Sequence, residues 1–173
     1  MRKQLDRLYY VSALAGGCCL IAMTLLILAQ IVGRWFGVIV PSTEDFSGFL
    51  LASSFSLCLG YTFRFGGLIR VSLLISHLGE SKRFLTEVAC MTLMVVLCGY
   101  LIWYFGYTVY ESYDFNEVTT GYVVIHLWIP QLPVFIGILV FGIAVFDDFL
   151  KLITTRNPAY RQNEHSEEAG VAE

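Results

Sequence analysis

Charge is what this sequence has least of. Only 14% of its residues are Asp, Glu, Lys or Arg, against about 25% in soluble domains. Apolar residues fill the deficit, at 57%, and mean hydropathy is +0.67. That balance excludes an ordinary soluble domain and indicates a membrane protein. The net charge of −3 says little about partners, and nucleic acid is not expected among them.

Several chemistries lack their residues. The five cysteines, Cys18, Cys19, Cys58, Cys90 and Cys98, form no C-x-x-C pair and all fall inside apolar runs. They read as small buried hydrophobes rather than metal ligands or disulfide partners. A quinone-linked disulfide oxidase needs cysteine pairs in its outer loops, and these loops have none. A membrane haem needs paired histidines on facing helices. Here His77 belongs to a surface segment, His126 to the outer rim and His165 to the tail. Phosphate-binding loops are absent. So is a cleavable-signal pattern, because Arg2, Lys3 and Arg7 lead into an apolar run too long for a signal peptide with no small-x-small site behind it. No enzyme activity, cofactor or metal is expected.

What is present is a set of long uncharged runs. At roughly 20 residues per crossing, the chain has room for about four. The first, residues 8–33, has Tyr9 and Tyr10 at one end and Trp35 and Phe36 past the other, as interfacial belts do. Gln30 inside it suits a helix–helix hydrogen bond. The second, 46–63, is about 27 Å long and barely spans. Ser42 or Thr43 is expected to cap its first turn, which also carries Glu44 and Asp45. Small residues recur along it at every fourth position: Gly48, Ala52, Ser56 and Gly60. They suit close approach of another helix, either from a partner or from this chain.

Gly66-Gly67 then breaks the helix. Over residues 68–78, Leu68, Val71, Leu74, Ile75 and Leu78 share one face, and Arg70, Ser76 and His77 another. This predicts a short amphipathic helix on the inner membrane surface. Arg64, Arg70 and Trp128 are candidate membrane-surface anchors. The third span covers 88–110 and ends in Trp103, Tyr104, Tyr107 and Tyr110. An acidic outer loop with Glu111, Asp114 and Glu117 follows. Residues 122–128 read as an interfacial or re-entrant piece, with the fourth span starting near Pro130 and ending at Asp147-Asp148.

Ten of the eleven basic residues fall on one side of this arrangement, and only Arg34 falls on the other. The positive-inside rule therefore places both termini in the cytoplasm. The expected architecture is all-α: one four-helix transmembrane domain over 1–155, with an interfacial helix between spans two and three. Residues 156–173 form a polar tail expected to be disordered. None of the four spans carries a charge near its middle, where transport sites usually need one. A small multidrug exchanger, which wants an embedded carboxylate, is disfavoured on that ground. The alternatives left by the residues alone are a subunit that serves a partner and a stand-alone four-helix protein, either an oligomeric carrier or an electron-transfer subunit.

Three pieces of the chain resemble a known family. They are Glu44 opening the second span ahead of small residues, the stretch Arg64-Phe65-Gly66-Gly67-Leu68-Ile69-Arg70-Val71, and Trp128-Ile129-Pro130-Gln131 with Pro133 and Gly137. In that order, over roughly residues 5–153, the chain resembles the four-span small (Q-type) membrane subunit of tripartite ATP-independent periplasmic (TRAP) transporters. Leu68 stands where the family often has histidine, so no role of that histidine carries over. The resemblance implies a non-catalytic scaffold in the bacterial inner membrane. Its partners would be membrane lipids, a large elevator-type subunit holding the sodium and substrate sites, and a periplasmic binding protein that delivers an organic acid of the sialic acid or dicarboxylate type. Gly48, Ala52, Ser56 and Gly60 are then candidate contacts with the large subunit. Glu44, Asp45, Glu111, Asp114 and Glu117 are candidate contacts with the binding protein.

Overall fold

The computed structural model describes residues 2–37, 42–65 and 80–155. The amphipathic segment 68–78, with Arg70, and the tail 156–173 lie outside the described residues. Four helices make up the described fold: α1 (Arg2–Trp35), α2 (Thr43–Arg64), α3 (Glu80–Asp114) and α4 (Trp128–Thr155). All four are long and apolar enough to cross a membrane. Each uncharged run lies inside one helix, because a bilayer offers the backbone no other partner than its own carbonyls.

Every helix runs past its uncharged run at one or both ends. α1 begins at Arg2 and α3 at Glu80, since charged residues with good helix propensity extend a helix into water at little cost. α1 stops where Gly37, with φ 73°, donates to the carbonyl of Arg34 at 3.2 Å. This left-handed termination favours glycine. α3 stops in the same way at Asn116, with φ 48°. The Glu117 amide then closes back on the Ser112 carbonyl at 3.1 Å.

One expectation needs correction at the start of α2. Ser42 does not cap α2 through its side chain; it sits in the left-handed region at φ 56° and its hydroxyl serves another segment. The stretch before α4, read as an interfacial or re-entrant piece, is not helical. It is an extended loop closed by a single antiparallel bridge between Val118 and His126. α4 starts at Trp128, so Pro130 occupies the first turn and Pro133 lies inside the helix. Proline lacks the N–H that an interior position needs, but membrane helices tolerate it where neighbours surround the freed carbonyl.

In space the order is α1, α2, α4, α3. α2 lies between α1 and α4, while α3 packs extensively on α4 alone among the described helices. α2 is therefore the most buried span, and it is also the least apolar. The core is built from Tyr9, Phe63, Met91, Cys98, Val140, Ala144, Val145 and Leu152. Phe63 meets Phe141 edge to face at 5.6 Å.

Candidate functional site

The functional geometry of this chain is that of α2 and its neighbours. Along its length, small and hydroxylic residues let two helices approach closely. On the α1 side, Ser12 donates to the Leu57 carbonyl at 2.7 Å. A Cβ on Gly16 would come within 2.6 Å of the Cys58 sulfur. On the α4 side, a Cβ on Gly137 would lie 2.6 Å from the Leu57 nitrogen, and one on Gly60 would lie 3.0 Å from Val140. The α2 hydroxyls are used within the helix: Ser53 donates to the Phe49 carbonyl at 2.7 Å and Ser56 to that of Ser53 at 3.1 Å. Buried serines cost little when they bond in this way.

The every-fourth-residue stripe does not form one face. A helix turns about 100° per residue, so each step of four drifts about 40°. Ser56 and Gly60 point into the chain and are buried against α4. Gly48 and Ala52 have rotated away and are exposed, with nothing within 4 Å of a Cβ at Gly48. Beside them Leu51 and Phe55 are also exposed.

The Arg64 end of α2 holds a charge cluster. Arg64 Nη1 donates to Asp148 Oδ1 at 3.2 Å and lies 3.8 Å from Asp147 Oδ2, while Nε lies 3.5 Å from Asp6 Oδ1. Lys151 pairs with Asp147 and reaches Asp148 at 3.4 Å. One guanidinium thus joins α1, α2 and α4. Arg64 was expected to anchor at the membrane surface. Its side chain is 16% exposed, and acids from two other helices converge on it. The Asp148 side chain is 2% exposed. Tyr9 is fully buried beside this cluster, and its hydroxyl has no hydrogen-bond partner among the described residues. The sequence carries one signal of this cluster: Arg64 and Asp147-Asp148 end spans that run in the same direction. Asp6, Tyr9 and Lys151 gave no such signal.

The Ser42 end is closed by the loop before α4. The Val123 amide donates to the Ser42 hydroxyl at 3.0 Å. Gly121 sits so close to the Asp45 carboxylate that a side chain there would collide with it. Within the loop, Thr119 N–H donates to the Ile125 carbonyl and Leu127 N–H to that of Glu117, both at 2.9 Å. Glu117 also accepts from Ser112 at 2.9 Å. Glu44, Asp45, Asp114 and Glu117 are exposed and Glu111 is half-buried. Trp128 is half-buried, with its ring edge-on to Tyr113 at 5.8 Å.

All five cysteines are free. Among the described residues, no group of three or more His, Cys, Asp or Glu is placed to hold a metal ion. The family model described as "Tripartite ATP-independent periplasmic transporters, DctQ component" matches residues 23–155. No curated protein and no solved structure matches the chain.

Proposed function

The chain belongs to the DctQ-component family of tripartite ATP-independent periplasmic transporters, and from that premise we propose that it is a scaffold subunit rather than a conduit. In this reading it stands beside a large elevator-type membrane subunit that carries the sodium and substrate sites. A periplasmic binding protein delivers the cargo, an organic acid of the sialic acid or dicarboxylate type. The chain lies in the bacterial inner membrane with both termini in the cytoplasm, as the one-sided placement of its basic residues favours.

The observation that supports this most is where the polar groups go. Residues 8–33, 46–63, 88–110 and 128–146 contain no Asp, Glu, Lys or Arg. The hydroxyls of Ser12, Ser53 and Ser56 bond to backbone carbonyls of this chain. The described charge cluster lies at the ends of helices and ties them together. Such an interior suits a fixed packing element.

The proposed contact with the large subunit is the part of the small stripe that the chain leaves open, Gly48 and Ala52, flanked by Leu51 and Phe55. Co-expression of the chain with the large subunit encoded beside it tests the assembly. The two are expected to co-elute through affinity and size-exclusion steps, and separate elution at all detergent concentrations would sink the reading.

A further inference from the structure

The uncharged runs do not lie level with one another. Contacts between helices fix their relative heights. α1 and α2 are antiparallel, with Ser12 level with Leu57. α2 and α4 are parallel, with Gly60 against Val140. α3 and α4 are antiparallel, with Gly106 against Phe135 and Ile102 against Gly142. Each run is bounded by charges, so these registers give the relative heights of its ends, although Arg64 and Glu87 are themselves enclosed, Glu87 at 8% exposure.

At the Ser42 end the bounding charges are Arg34 on α1, Asp45 on α2 and Glu111 on α3. Carried along the registers at 1.5 Å per residue, Arg34 stands about 13 Å beyond Asp45, and Glu111 about 7 Å short of it. At the Arg64 end, Arg7 on α1 is level with Arg64, Asp147 on α4 is a little further, and Glu87 on α3 is further still. Glu87 lies about 15 Å beyond Arg64. Both rims therefore slope the same way, from α1 at one edge of the molecule to α3 at the other. Apart from Thr92, whose hydroxyl donates to the Val88 carbonyl at 2.7 Å, the exposed residues on the two overhangs are apolar. α1 presents Leu28, Ile31 and Val32, and α3 presents Ala89, Cys90 and Leu93.

We propose that the lipid-contact surface of this chain is an oblique belt, and that the helices sit in the bilayer tilted by roughly 35° from its normal. The belt falls about 15–20 Å across at most three helix spacings of 8–10 Å each, which sets that angle. The lengths of the edge runs are compatible with such a tilt. The runs 8–33 and 88–110 are about 39 Å and 35 Å long, and fitting them to a hydrocarbon layer of about 30 Å needs tilts of about 40° and 30°. The central run of α2 is shorter and need not reach water at its Arg64 end. There Arg64 is enclosed by Asp6, Asp147 and Asp148, which supply the partners that water would otherwise provide. Shortness at the centre and excess length at both edges are thus one arrangement. The inference rests on the four spans and not on the transporter reading.

Nitroxide accessibility in phospholipid vesicles tests the belt, using the full chain. One variant keeps Cys90 and replaces the other four cysteines by alanine. A second replaces all five and carries Ile31→Cys. Both positions are on exposed faces, so the label does not enter the core. Asp114→Cys serves as the aqueous control. The tilted belt predicts that Ile31 and Cys90 collide with dissolved oxygen and lose collisions with a water-soluble nickel chelate, in contrast to Asp114. An upright molecule, with rims set by Asp45 and Arg64, predicts nickel collisions at both. Nickel access at either position overturns the proposal, as does low access to both reagents, which would mean burial in protein rather than lipid.

Discussion

Arg64 of α2 and Asp148 of α4, 84 positions apart in sequence, meet at 3.2 Å where α2 ends beside the parallel α4, which runs on to Thr155. Both side chains are largely enclosed, at 16% and 2% exposure. With Asp6 of α1 on the other edge of the guanidinium, this contact closes one end of the fold.

Breaking that pair is expected to be expensive. Asp148→Ala leaves Arg64 enclosed with less compensation, and removal of one partner of a buried pair costs about 3–5 kcal/mol. The thermal midpoint of the purified chain in detergent should fall markedly for Asp148→Ala. Asp6→Ala should cost less, since the Asp6 side chain is 48% exposed. The double variant Arg64→Met/Asp148→Leu should recover part of the loss, because Asp147 keeps Lys151 and the freed Asp6 is 48% exposed, so no enclosed charge is left unpaired. Equal midpoints for Asp148→Ala and the native chain would contradict the cluster's role.

Glycines on the two sides of α2 should behave differently. Gly137 faces the backbone of Ser56 and Leu57, which cannot swing aside, whereas nothing lies within 4 Å of a Cβ at Gly48. Gly137→Ala is expected to destabilise by about 1–3 kcal/mol through overpacking. Gly48→Ala should be neutral or slightly stabilising in a helix. Thermal unfolding of both variants makes the comparison, and the reverse order would show that α2 and α4 are not this close.

Ser42 links the loop before α4 to the start of α2. Ser42→Gly keeps the left-handed backbone, which glycine adopts freely, but removes the acceptor for the Val123 amide. Hydrogen exchange at Val123 should accelerate while that of the α2 interior stays unchanged. Unaltered exchange at Val123 would mean that the loop is held by its own bonds alone.

The split stripe separates folding from assembly. Ser56→Leu should lower the stability of the chain by itself, because Ser56 is buried against Gly137. Ala52→Leu should leave the isolated chain intact and lower the yield of complex with the large subunit, because Ala52 is exposed and bulk there prevents close approach. Normal complex with Ala52→Leu would move the contact elsewhere.

Much of this fold was legible from charge alone. Uncharged runs locate α1 to α4 because hydrocarbon excludes unpaired charge, and the family match agrees with the resemblance drawn from Glu44, the Arg64–Val71 stretch and Trp128–Pro130. What was not legible depended on angle or on distance in sequence. Gly48, Ala52, Ser56 and Gly60 look equivalent as a string, and only the drift of the helix assigns two inward and two outward. The acids of α1 and α4 that pair with Arg64 are 58 and 84 positions away in sequence, and only the fold brings them to it. The loop at 118–127 is as apolar as a helix, but its form is set by the Val118–His126 bridge and by Ser42, a partner 81 positions away.

The central claim is that this chain supports transport without carrying it. The most direct measurement is sodium-driven uptake of a labelled organic acid into proteoliposomes, with the periplasmic binding protein supplied outside. The account predicts no uptake with this chain alone, and uptake when the large subunit is reconstituted with it. Sodium-dependent uptake by this chain alone would contradict the account.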